Sequence, residues 1–142
     1  MKNKLIYSLS GFLIVTLLFG FYFAQSAPPK VIDLKVVKVK GVWRVVDATD
    51  YTKFQVKVKK KDKIVWTIEG TDASFQFPTN LFDADTPVDS LNNGYTKLVK
   101  NGKKLRLKVK ADALSGTYEY AVFCTADGVF AQGGSPPRIV IE

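Results

Sequence analysis

A two-residue alternation, recurring along most of the chain, narrows the fold more than any other feature. In "FQVKVK", Phe54, Val56 and Val58 alternate with Gln55, Lys57 and Lys59. In "KLRLKVK", Leu105, Leu107 and Val109 alternate with Arg106, Lys108 and Lys110. Successive side chains of a β-strand point to opposite faces, so each run reads as a strand with one face buried and one in water. "VIDLKVVKVK" follows the same rule, with Val37 and Val39 facing one way and Lys38 and Lys40 the other. "KIVWTIE", "SFQF", "YTKLV", "TYEYAVFC" and "RIVIE" complete a set of about eight short strands. No segment carries a helical period; the stretch from Pro78 to Gly94 has room for a single helical turn at most. "KNGK" at 100–103 reads as a hairpin turn and Asn92-Asn93-Gly94 as another, because Asn-Gly tolerates positive φ. Short strands separated by turns predict an all-β Greek-key sandwich.

The first 26 residues differ from the rest. Lys2 and Lys4 precede an uncharged apolar run from Leu5 to Ala24, followed by Gln25, Ser26 and Pro28-Pro29. A basic start, an apolar core and small residues at Ala24 and Ser26 read as an export signal cut after Ser26 or Ala27. The run is long for a signal core and close to the roughly 20 residues of a membrane span, so a retained anchor fits the same flanks. An N-terminal hydrophobic helix, signal or anchor, is therefore expected over 1–26, with the sandwich over 27–142. Lys2 and Lys4 place the sandwich outside the cytoplasm in either case: periplasmic, secreted or held on the outer face of the cytoplasmic membrane. No cysteine follows the run at a lipid-attachment position.

The chain has 142 residues and one cysteine, so no disulfide forms within it. Its formal charge is +8, or +6 without Lys2 and Lys4, which favours anionic surroundings without naming them.

Two stretches resemble the cupredoxins, the copper-binding β-sandwiches of exported electron carriers. In "VKVKKKDKIVWTIEGTDASFQF", Lys61-Asp62 stands at the family's Gly-Asp turn, Ile64 at its valine and Trp66 at its tryptophan. Ile68 replaces the asparagine, and Ser74 falls near the copper-binding histidine. In "ADALSGTYEYAVFC" followed by "RIVIE", Gly116, Tyr118 and Tyr120 match the approach to the copper cysteine. The family spacing puts that cysteine nearer Val122, and no histidine or methionine lies beyond it. The resemblance implies the scaffold and not the site. A blue-copper centre needs two imidazoles and a thiolate, and this chain has no histidine. A sandwich without a metal or other cofactor is expected. Gly116 and Tyr118, with Asp112, equally fit the tyrosine corner of immunoglobulin-like sandwiches, which remain the alternative fold.

The strand phase predicts a core of Trp66, Phe54, Val56, Val58, Leu105, Leu107, Val109, Tyr118, Tyr120, Val122 and Cys124. Among these, Trp66, Tyr118, Tyr120 and Cys124 are singled out as buried structural residues. A one-residue slip would bury Lys57, Arg106 and Lys108 at a cost of several kcal/mol each. With no histidine to act as base, Cys124 reads as a small buried hydrophobe and not a nucleophile. Asp83, Asp85 and Asp89 lack the register of a calcium loop and read as turn residues. Nothing in the sequence brings Glu69 and Asp72 together in a cleft.

The candidate contact surface is a basic face of Lys38, Lys40, Lys57, Lys59, Arg106, Lys108 and Lys110, continuous if their strands are neighbours. It suits another envelope protein or an anionic surface; the membrane is a further partner through residues 5–24 if the anchor is retained. Sparse aromatic interleaving argues against nucleic acid. A second candidate is Phe130, on the loop "FAQGGSPPRIVIE". The expected function is a non-enzymatic, metal-free binding or assembly module of the bacterial envelope. The alternative is an accessory domain of an electron-transfer or copper-handling system.

Overall fold

Each alternating run folds as a strand. The computed structural model describes residues 27–83, 95–134 and 136–142, and expectations for residues 1–26 and for Asn92-Asn93-Gly94 fall outside them. The strands are β1 (Val31–Val39), β2 (Val42–Asp47), β3 (Gln55–Val58), β4 (Lys63–Ile68), β5 (Ala73–Phe77) and β6 (Phe82–Asp83). They continue with β7 (Tyr95–Val99), β8 (Lys104–Val109), β9 (Gly116–Glu119), β10 (Ala121–Cys124), β11 (Val129–Phe130) and β12 (Arg138–Ile141). No described residue is helical.

One layer is a five-stranded sheet in the order β2-β1-β4-β8-β6. The opposing strands form β11-β10-β5-β7 and β3-β12-β9, linked where β9 runs into β10 through Tyr120. Two pairs are parallel, β1 with β4 and β3 with β12; the other strand pairs are antiparallel. This mixed, crossed order is that of a Greek-key sandwich. Gln132 closes one side: its N–H donates to the Trp43 carbonyl at 2.8 Å, and its carbonyl accepts from Val45 N–H at 2.9 Å.

The core lies between the layers. Trp66 on β4 is fully buried, edge-on to Phe75 at 5.8 Å, Phe82 at 6.0 Å and Tyr120 at 5.9 Å. Val56, Val58, Leu105, Leu107, Val109, Val122, Ile139 and Ile141 fill the space around it.

The structure corrects the sequence reading at several places. First, Leu34 and Val36 are the inward residues of β1, so Lys38 lies on the inner side and Val37 on the outer. β1 is nine residues long and outruns the core, so its last inward position opens to water. Second, "VWRVVD" is a strand absent from the sequence reading, and its Trp43 is buried. It pairs with β1 through Lys40-Gly41, where φ values of 49° and 83° give the doubly positive two-residue hairpin turn. Third, 100–103 is a turn, with Lys103 N–H on the Lys100 carbonyl at 3.0 Å, but not a hairpin. The flanking β7 and β8 belong to different sheets. Fourth, Phe54 is only half-buried, with the Arg44 guanidinium 5.1 Å from its ring centre.

One buried carboxylate ties the start of β1 to the β3–β4 turn. Asp62 is 5% exposed; its Oδ1 accepts Lys30 N–H and its Oδ2 accepts Lys59 N–H, each at 2.8 Å. Removing it leaves two partly buried donors unpaired. Asp62→Ala is expected to lower unfolding free energy by about 2–3 kcal/mol in urea denaturation, with Asp62→Asn retaining part of the loss.

Candidate functional site

Tyr120, Val122 and Cys124 alternate inward along β9–β10, leaving Glu119, Ala121 and Phe123 on the other side. Trp66 Nε1–H donates to Tyr120 Oη at 3.1 Å, wholly inside the core, and burial pushes the Tyr120 phenol well above its ordinary value. Tyr118 was expected to be buried and is half-buried. Its strand begins at the margin of the sheet, and its Oη–H reaches back to donate to the Leu114 carbonyl at 2.8 Å. That bond is a tyrosine corner.

Cys124 has no exposed surface. Burial pushes its thiol up from 9.0 to about 11, and the nearby Asp127 charge adds to the shift. Ser74, at the place of the family's histidine, pairs with Phe123, so it lies on the face of the sheet opposite to Cys124. The two residues do not converge. Among the described residues no three Cys, Asp or Glu side chains gather as metal ligands. Asp85 and Asp89 lie outside those residues.

The carboxylates of the end bearing Asp72 and Asp127 are engaged. Asp127 Oδ2 accepts from Lys38 Nζ at 2.6 Å and Trp43 Nε1 at 2.7 Å, and these bonds, Lys38 first, hold its carboxyl below the usual value. Asp72 accepts from Lys100 Nζ and Asn101 N–H, each at 2.8 Å, and is lowered in the same way. Glu69 bridges Lys35 at 2.9 Å, so Glu69 and Asp72 face separate lysines and form no acid–base pair. An open groove of about 570 Å³ lined by Gln76, Phe77, Thr79, Glu119, Tyr120 and Ala121 has Glu119 as its carboxylate, bridged to Arg138 at 3.0 Å.

The basic face divides. Lys38 is neutralised by Asp127, and Lys40 occupies the β1–β2 turn. Lys57, on β3, belongs to a different sheet and bridges Glu142 at 3.3 Å. Lys59 stands at the β3–β4 turn, and Lys110 is half-buried beyond the end of β8. What remains on the outer side of the five-stranded sheet is Arg106 and Lys108, joined by Lys63 and Lys104. Register sets Lys63 opposite Lys108, Val65 opposite Arg106 and Thr67 opposite Lys104. These four cations are exposed, and none has an ion pair among the described residues. Lys63 and Lys104 were absent from the sequence-based set. The alternation marks both as outward, but only the β4–β8 pairing makes them neighbours.

Phe130 is 64% exposed and packs edge-on against Phe123 at 5.2 Å. It belongs to the short strand β11 and not to a rim loop.

No protein-family model matches the chain, and no curated protein is matched by sequence. Among solved structures the chain is similar to amicyanins. One is a Cu(I)-form amicyanin variant, with TM-score 0.44 and 18% identity over 84% of this chain and 88% of that one. Another is amicyanin from Paracoccus versutus, with TM-score 0.42 and 12% identity over 82% and 84% of the two chains. A likeness of this degree assigns no ligand, partner or activity to this chain, and the sandwich rests on its own strand order and pairing.

The buried thiol generates a prediction. Cys124 reacts slowly with thiol reagents in the native protein and rapidly in denaturant. The unfolded thiol ionises from about pH 9 and the folded one only near 11. Its contribution to stability is therefore complete below pH 9 and lost as pH rises toward 11, at about 1.4 kcal/mol per pH unit. Cys124→Ala is expected to cost about 1–2 kcal/mol at neutral pH and to make that alkaline decline shallower. Equal reactivity of native and unfolded thiols would contradict the burial.

Proposed function

We propose that this chain is a non-enzymatic, metal-free binding module of the bacterial envelope, exported or anchored, which engages an acidic partner protein through the outer side of its five-stranded sheet. One observation carries the reading: Lys63, Lys104, Arg106 and Lys108 crowd two adjacent strands and none is ion-paired among the described residues, with Asp33 on β1 and Asp83 on β6 as the flanking carboxylates. Like charges directly opposite one another destabilise a sheet pair, and Lys63 faces Lys108 in register. Lysines commonly protect exposed sheet edges, but β4 lies between β1 and β8, so edge protection does not account for Lys63. An acidic partner relieves the repulsion and is drawn in by the field. Val65, 7% exposed at the centre of the four, supplies an apolar floor.

The location rests on the sequence of residues 1–26. The non-enzymatic reading rests on the absence of histidine and on the buried, weakly acidic thiol. A blue-copper site would need imidazole ligands from a partner, because the chain has none. Added copper(II) is accordingly expected to give the protein no intense blue absorption.

A photo-crosslinker placed at Thr67, in cells expressing the full chain, is expected to trap an acidic envelope protein. The double variant Lys104→Glu, Arg106→Glu should reduce the adduct about ten-fold or more, as charge reversal at a docking face does. A Thr67 adduct unaffected by that variant, or none at all, would overturn the basic face as the docking surface.

A further inference from the structure

Lys30, Lys59, Lys60 and Lys61, which that face does not include, gather at one end of the sandwich beside Lys63 and Lys108. It is the end at which the chain enters. Asp62 fixes Lys30 to the β3–β4 turn, and the Lys30 carbonyl accepts Lys63 N–H at 2.8 Å. The start of β1 is therefore locked beside Lys59, Lys60 and Lys61. Parallel register sets Val31 next to Lys63, and antiparallel register sets Lys63 next to Lys108. Lys30, Lys59, Lys60, Lys61, Lys63 and Lys108 are all exposed, and none has an ion pair among the described residues. Of the carboxylates nearby, Asp62 is spent on backbone donors and Glu142 on Lys57, while Asp83 lies across from Lys108, Asp33 follows Val31 on β1 and Asp112 stands in the loop after β8. At the opposite end Lys38 and Lys100 hold aspartate partners.

The length of chain preceding Lys30 says what covers this end. Only Gln25 to Pro29 separate the apolar run ending at Ala24 from the fixed residue Lys30. Five residues span at most about 18 Å, and Pro28-Pro29 restricts their paths further. With residues 5–24 in a bilayer, the lysine end cannot move far from the lipid headgroups, whereas the Asp72–Asp127 end points away. Val31, 59% exposed, adds an apolar contact on the same side.

We infer that the lysine-rich end is a seat for anionic phospholipid headgroups, holding the sandwich upright on the membrane with the Asp72–Asp127 end outermost. Surface lysines add about five-fold each to adhesion on an anionic membrane, and the attraction is screened by salt. The inference rests on the anchored form of the proposed function, and it uses Lys59, Lys60 and Lys61, which the partner face does not.

The test uses the full chain in vesicles, with a fluorophore at Ser115→Cys or at Lys103→Cys; native Cys124 is buried and does not compete. Gly116 opens β9 beside the ends of β12 and β3, so position 115 reports the lysine end without lying on the tether. Lys103 reports the opposite end. Headgroup-nitroxide lipids are expected to quench position 115 more strongly in phosphatidylglycerol than in phosphatidylcholine vesicles. High salt, or Lys59→Gln with Lys60→Gln and Lys61→Asn, should abolish that difference, while position 103 stays unquenched throughout. The triple variant should shift the balance of seated to detached sandwich by about a hundred-fold. Quenching at 115 that ignores lipid charge, or quenching at 103, would overturn the seat while leaving the anchor intact. Alkaline extraction of the chain from the vesicles would overturn both, whereas the Thr67 crosslink tests the partner face separately.

Discussion

Trp66 holds the two layers together. Its indole stands on β4 of the five-stranded sheet and is ringed by Phe75, Phe77 and Tyr120 from the opposing strands and by Phe82 from its own. Its N–H would be a costly orphan in so apolar a place, and Tyr120 Oη satisfies it. Tyr120 sits where β9 becomes β10, so this bond ties the larger sheet to the junction between the two smaller ones. Val122 and Cys124 then follow inward on the same strand, and the depth of the thiol follows from the anchoring of Tyr120.

That anchoring sets the surroundings of the thiol. A thiol deep in apolar surroundings, with its ionisation pushed upward and no imidazole in the chain, is packing. Ser74 lies across the sheet from it. On the surface, charge is unequally distributed. Around Asp72 and Asp127, cations and carboxylates satisfy one another. On the β4–β8 face and at the β3–β4 turn, lysines stand without partners among the described residues, so the field of the molecule is concentrated on those two regions.

Much of the architecture was legible from alternation, since the phase of a strand is a local property. Val56 and Val58, and Leu105 and Leu107, are inward because a cation lies between each pair, and Val122 and Cys124 follow the phase set by Glu119; a slip would bury those charges. The same rule misled at β1. There, Lys38 follows the buried positions Leu34 and Val36 in phase and is inward too, with its ammonium 5.6 Å from the Trp43 ring centre and bonded to Asp127. Alternation assumes that the core extends the full length of the strand, and this strand is longer than the core. β2 escaped notice because Val45 and Val46 are both buried, one on each side, which breaks the period.

The sequence by itself determined that the chain is all-β, which residues of most strands face inward, and that no imidazole-based metal site exists. These depend on residue type and spacing of two, and both are written in the chain. Only the tertiary structure decided which strands are neighbours. It placed Lys57 on a different sheet from Arg106, turned the 100–103 bend into a crossing between sheets, and brought Lys63 and Lys104 beside Arg106 and Lys108. It also put the lysines of the β3–β4 turn at the end where the chain enters. Strand pairing is a contact between distant segments, selected by how their buried faces fill a common core and by backbone bonds that every residue except proline can make; no short stretch of sequence carries that choice.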